Sequence, residues 1–126
     1  MLLGLAAVLA ASATVSVPAQ AEPAKQLAAE PETVALSALP REAQTMYRLI
    51  LAGGPFRYSQ DGIVFGNREH LLPAMPRGYY HEYTVTTPRA HNRGARRLVC
   101  GGNPPTQPEV CFYTDDHYAS YRKLVP

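Results

Sequence analysis

The sequence predicts an α+β domain in which one N-terminal helix packs on a roughly five-stranded antiparallel sheet. Two observations carry this. Only the stretch just after Pro40 places apolar residues at helical spacing. From Phe56 onward the chain turns into short runs rich in Tyr, Thr and Val, separated by Gly, Pro and Asn. One helix followed by sequential strands has one sheet face to cover. A length of 126 residues leaves room for a single domain.

The elements follow in order. Residues 2 to 21 carry no charge, and Leu2 to Val17 is a run of apolar and small residues. The run is shorter than the roughly 20 residues a membrane-spanning helix needs. Ala19-Gln20-Ala21 fits the small-x-small pattern of a signal-peptidase site. Residues 1–21 are therefore read as a signal peptide, and the protein is expected to be secreted and not membrane-bound. No Lys or Arg precedes the run, which leaves room for a longer leader upstream. Residues 22–34, rich in Ala, Glu and Pro, read as a linker or short pro-segment ahead of a domain at 35–126. Pro40 suits the first turn of a helix whose stripe is Ala43, Met46, Tyr47, Ile50 and Leu51, and Gly53-Gly54-Pro55 stops it. Strands are expected at Gly62–Phe65, Gly78–Thr87, Arg96–Cys100, Val110–Tyr113 and Tyr118–Leu124.

From Thr33 onward there are 11 basic and 7 acidic side chains, a net of +4, and ten of the chain's twelve basic residues are arginine. Arginine's planar fork suits bidentate phosphate contacts, so a polyanionic partner is indicated. Cys100 and Cys111 are the only cysteines. In an exported protein such a pair either bridges, here across a hairpin, or stays as two buried thiols. Their spacing is not C-x-x-C, and no cysteine–histidine pattern for zinc accompanies them, so no metal or cofactor is expected.

The residues that carry chemistry lie between Tyr79 and Tyr118. Alternation puts Tyr80, Glu82 and Thr84 on one strand face, with Arg93 and Arg97 in matching parity in the next segment. A plain solvated sheet shows the same pattern. Cleaving RNA without a metal needs a base for the ribose 2′-hydroxyl, an acid for the leaving 5′-oxygen and fixed cations for the phosphoryl oxygens. Glu82, His117, Arg93 and Arg97 can supply these, although His117 beside Asp115 and Asp116 also reads as a surface histidine. A second cluster is Phe65-Gly66-Asn67-Arg68-Glu69. Gly66 and Asn67 tolerate unusual backbone geometry, so amides can turn toward a base edge. Glu69 can accept both guanine donors while an aromatic or arginine stacks on the ring. An ordinary turn closed by Asn67 is the alternative. A non-catalytic RNA- or polyanion-binding module, or a protein–protein interaction domain, would also use these residues.

Taken together, the residues resemble the guanyl-specific microbial ribonucleases, the superfamily that includes barnase, and most closely its small exported actinobacterial members. The resemblance runs from Leu36 to Leu124. Its motifs are L-S-A-L-P-R-E-A at 36–43, G-P-F-R-Y-S-Q-D-G-I-V-F at 54–65, N-R-E at 67–69, G-Y-Y-H-E-Y-T-V at 78–85, R-G-A-R-R at 93–97 and D-H-Y at 116–118. It implies Glu82 as general base and His117 as general acid, with Arg93, Arg97 and Tyr118 on the phosphate. It also implies Glu69 as the guanine-reading carboxylate, flanked by Asn67, Arg68 and Phe65. The implied reaction is transesterification 3′ of guanosine in single-stranded RNA to a 2′,3′-cyclic phosphate, then hydrolysis to the 3′-phosphate. A monomer held in check by a small barstar-like inhibitor is implied as well. Three departures stand out. Gly66 replaces a larger residue, Ala35 replaces the cysteine of a terminus-to-terminus bridge, and Asn103–Pro108 lengthens a turn, expected at the surface, before His117.

Overall fold

A computed structural model describes residues 3–4, 6–16 and 31–126. The expected cleavage site at Ala19-Gln20-Ala21 and the segment read as a linker, as far as Glu30, lie outside the described residues. Among the described residues no helix is long and apolar enough to cross a membrane.

In chain order the elements are β1 (Thr33–Ala35), a short 3-10 turn (Leu36–Ala38), α1 (Arg41–Ala52), β2 (Tyr80–Thr84), β3 (Arg97–Gly101), β4 (Val110–Thr114) and β5 (Arg122–Val125). Helix α1 forms where the stripe is, with Pro40 just ahead of it as the N-cap residue rather than in the first turn. Ala43, Met46 and Ile50 are buried, and Tyr47 and Leu49 pack partly against the same core. Leu51, counted in the stripe from sequence, is instead 46% exposed. One residue beyond Ile50 is a step of about 100° around the helix, enough to carry the side chain off the buried face. Gly53 takes the left-handed conformation (φ 80°) that ends the helix, and the Gly54 N–H donates to the Leu49 carbonyl at 2.9 Å.

The sheet order is β1-β5-β4-β3-β2. Strands β2 to β5 pair antiparallel, but β1 runs parallel to β5, with Thr33 opposite Lys123. The sheet is therefore mixed, not wholly antiparallel as expected. The sequence hides β1 because three residues are too few to show alternation, and Thr33 and Val34 sit in the segment read as linker. The expected strand at Gly62–Phe65 reduces to one bridge, Val64 to His81. Its backbone is still tied to β2, because Gly62 N–H donates to Glu82 O (2.7 Å) and Phe65 N–H to Tyr80 O (2.9 Å). The last strand starts at Arg122, not Tyr118, since His117 and Tyr118 both take positive φ (53° and 72°) and leave the ladder.

The two sheet faces bury different cores. Toward α1 lie Tyr83, Leu98, Cys100, Cys111, Tyr113 and Leu124; away from it lie Tyr80, Val99, Phe112 and Leu72. Each fully buried large apolar side chain contributes about 1.5–3 kcal/mol. Cys100 and Cys111 face each other in register and are disulfide-bonded, with Cα atoms 4.0 Å apart, which excludes the free-thiol alternative. The turn they close is exposed over residues 103–107. Gly101 at its base is required by close approach, since a Cβ there would overlap the Tyr79 ring.

Candidate active site

The sheet face opposite α1 is built in cross-strand rows. Register places Thr84, Arg97 and Thr114 in one row, and Glu82, Val99 and Phe112 in the next. Val99 and Phe112 form a buried floor beside Glu82, and the two threonines stand on either side of Arg97 in their row. Alternation along β2 had already put Glu82 and Thr84 on one face.

Arg93 comes from the loop between β2 and β3 rather than from a strand. Its Nε and Nη2 donate to Thr84 Oγ1 at 3.0 and 2.9 Å, and Nη2 lies 3.5 Å from Glu82 Oε1. Its guanidinium also sits 5.8 Å from the Tyr58 ring centre. Thr84 is 1% exposed, and its own N–H donates to Asp61 Oδ1 at 2.7 Å. Asp61 also accepts from the Tyr58 N–H at 3.2 Å. Asp61 and Thr84 thus hold Arg93 against Glu82. The functional reading of the sequence missed both. Thr84's parity with Glu82 was a usable signal, whereas nothing local marks Asp61.

Arg97 is 2% exposed. Its Nη1 donates to the Arg96 and Arg93 carbonyls at 2.7 and 3.4 Å, and its guanidinium lies 6.0 Å from the Tyr118 ring centre. Its Nε has no acceptor, and among the described residues no carboxylate pairs with it. A buried cation without a counter-ion is costly unless an anion arrives to meet it.

His117 and Tyr118 are aimed by the turn after β4. Thr114 Oγ1 donates to Asp116 Oδ1 (2.8 Å) and accepts from the Tyr118 N–H (3.2 Å), while Asp116 accepts from the Ser120 N–H (2.9 Å). The Ser120 hydroxyl, more than any other group, holds the Asp116 carboxyl below its usual range. The His117 N–H donates to Ala95 O at 3.0 Å, which ties this turn to the Arg93 loop. Tyr118 donates its hydroxyl to Glu82 Oε2 at 2.9 Å. Burial first, then the bond to Glu82 and its charge, push the Tyr118 hydroxyl up to about 12 against the pull of Arg97. It is therefore a proton donor across the neutral range.

The loop from Phe65 to Glu69 faces this turn. Phe65 stacks on Tyr118 with ring centres 5.2 Å apart. Asn67 carries the left-handed residue of the loop (φ 49°); Gly66, expected to share that role, does not adopt positive φ. The Asn67 side chain braces the loop by donating to Leu72 O (2.9 Å) and accepting from Leu72 N–H (3.2 Å). Glu69 is exposed and among the described residues pairs with no cation.

Phe65, Gly66, Asn67, Arg68 and Glu69 line one cleft of about 660 Å³ with Glu82, His117 and Tyr118. Of the four histidines only His117 lines it. Arg93 and Arg97 do not line it; they border it through Glu82 and Tyr118. The cleft thus holds a carboxylate and an imidazole between flanking guanidiniums and a loop bearing a second, unpaired carboxylate. Among the described residues no cluster of three or more His, Cys, Asp or Glu is placed to hold a metal ion.

Comparison with known proteins agrees with this architecture. The ribonuclease family model matches residues 21–125. Guanyl-specific ribonuclease Sa3 of Kitasatospora aureofaciens is 56% identical over 91 residues, covering 72% of this chain but only 62% of that protein. Guanyl-specific ribonuclease Sa of the same organism is 56% identical over 71% of this chain and 88% of its own. Guanyl-specific ribonuclease St of Saccharopolyspora erythraea is 53% identical over 75% and 88%. Among solved structures, ribonuclease Sa2 with guanosine-2′-cyclophosphate superposes with a TM-score of 0.69 at 42% identity, covering 76% of this chain and 97% of that one. On both sequence and fold, the chain belongs to the guanyl-specific microbial ribonucleases.

Proposed function

We propose that this protein is a secreted endoribonuclease that cuts single-stranded RNA on the 3′ side of guanosine. Glu82 takes the proton from the 2′-hydroxyl, the 2′-oxygen attacks the phosphorus, and His117 protonates the departing 5′-oxygen, leaving a 2′,3′-cyclic phosphate. Water then opens the ring with the two roles reversed, giving the 3′-phosphate. Arg93 and Arg97 meet the charge that builds on the phosphoryl oxygens, and the Tyr118 hydroxyl adds a neutral donor. Glu69 accepts from guanine N1–H and the 2-amino group, while Phe65 flanks the base and the Gly66–Arg68 backbone lines its edge.

The observation that carries this reading is the shared cleft, in which Glu82 and His117 stand with the Phe65–Glu69 loop, backed by Arg93 at 3.5 Å from Glu82. The unpaired Arg97 supports an anionic occupant. As the monomer this reading assumes, the protein would present an open cleft bordered by Arg93 and Arg97 that a small barstar-like inhibitor fits. Incubating it with RNA in EDTA should yield fragments ending in 2′,3′-cyclic guanylate. Salt-sensitive RNA binding without such ends would support a binding module instead.

A further inference from the structure

Arg93 reaches Glu82 from a loop, which fixes where its side chain begins but not where the guanidinium ends. Among the described residues both of its side-chain hydrogen bonds end on one atom, Thr84 Oγ1. A single acceptor is a pivot, about which the guanidinium can tilt without breaking either bond. The Glu82 contact, at 3.5 Å, is longer than a charge-assisted hydrogen bond and does not fix the plane by itself. A second restraint, off the pivot, comes from Tyr58. The Arg93 guanidinium lies over that ring, 5.8 Å from its centre, within the range of a cation–π contact.

The ring is itself held in place. Asp61 Oδ2 accepts from the Tyr58 N–H at 3.2 Å while Oδ1 accepts from the Thr84 N–H at 2.7 Å, so one carboxylate spaces the ring from the pivot. The Asp61 N–H donates back to Tyr58 O at 3.0 Å, and the Gly62 N–H to Glu82 O at 2.7 Å. Two residues before Tyr58, Phe56 packs on Tyr83 with ring centres 5.4 Å apart. Ring, pivot and Glu82 are thus all tied to strand β2. Arg57 lies over the same ring, 5.3 Å from its centre, but it is exposed and does not line the cleft.

The geometry points to Tyr58 as a positioning residue that sets the plane of the Arg93 guanidinium for the phosphate, an inference that rests on the ribonuclease reading above. Thr84 occupies the Nε–Nη2 edge, and the ring backs the guanidinium so that Nη1 stays free for a phosphoryl oxygen. The contact uses the face of the ring and not its hydroxyl. Tyr58 lines neither the base loop nor the cleft, so its influence falls on the phosphate and not on guanine.

The test measures binding of guanosine and of guanosine 3′-phosphate, together with kcat on GpC, in wild type, Tyr58→Phe, Tyr58→Leu, Tyr58→Gln and Arg57→Ala. The Leu and Gln variants should bind guanosine as wild type does but guanosine 3′-phosphate roughly 5- to 10-fold more weakly, the worth of one cation–π contact. Their kcat should fall by at least that factor, because charge on the phosphoryl oxygens is greatest in the transition state. Tyr58→Phe and Arg57→Ala should both stay close to wild type. Unchanged phosphate binding and kcat in the Leu and Gln variants would overturn the inference. So would an equal loss for guanosine and its 3′-phosphate, a Phe variant as weak as Leu, or the same loss in Arg57→Ala. Failure of wild type to cleave GpC would overturn the ribonuclease reading and this inference with it.

Discussion

Glu82 has two close partners, Arg93 at 3.5 Å and the Tyr118 hydroxyl at 2.9 Å, and both keep its carboxylate fixed beside the cleft. Glu82→Gln keeps shape and hydrogen bonding but cannot take a proton. Turnover of GpC should fall by about 10²-fold or more, and wild-type turnover in that variant would remove Glu82 as base. Glu69→Ala tests recognition separately. The kcat/KM ratio of GpC to ApC should collapse toward parity while slow cleavage persists, and a retained preference for guanosine would assign the reading to other groups. Thr84 presents a third case. Thr84→Val preserves shape but removes the acceptor of two guanidinium hydrogen bonds. A roughly tenfold loss in kcat/KM is expected, equivalent to about 1.4 kcal/mol, with Thr84→Ser close to wild type. The catalytic residue types were legible because few side chains can do this chemistry. Asp61 was not, because its link to Arg93 runs through a backbone amide on a distant strand.

The elements were readable where periodicity is long and unreadable where geometry is local. Helix α1 has three turns of pattern and a glycine stop, and its position followed from them. Strand β1 has three residues and no pattern, and its partner β5 lies far along the sequence. Two left-handed residues in succession, His117 and Tyr118, end what looked like a continuous strand and turn both side chains to the cleft side. Neither is a glycine or asparagine, so sequence gives no warning. The β3–β4 hairpin yields a prediction of its own. Its disulfide closes a short loop, and replacing both cysteines by alanine should lower stability by about 2–3 kcal/mol in the chain-entropy model. Urea denaturation checks this, and an unchanged midpoint would mean that the ladder alone holds the hairpin.

Across the whole molecule, two apolar cores share one sheet, and tyrosines run through both. Tyr80 and Tyr118 are pushed up to about 12, chiefly by burial, and Tyr79, Tyr83, Tyr113 and Tyr121 shift in the same direction. Their folded forms hold protons that the unfolded chain releases near its ordinary value of about 10. Between those values the native state binds more protons, so stability falls as pH rises. Stability should hold steady on the acid side of pH 10, as far as tyrosines are concerned, and drop from there toward about 12. Denaturation series at stepped alkaline pH would show it, and a flat profile would contradict the burial described. The parallel pairing of β1 with β5 has a different kind of consequence. Thr33 lies beside Lys123 and Ala35 beside Val125, so entry and exit of the domain are separated by about one short strand, roughly 10 Å. A linker of about five residues would span that gap and make the domain a closed ring. Such a ring could be reopened within the exposed 103–107 turn, where the Cys100–Cys111 bridge would keep both new ends joined.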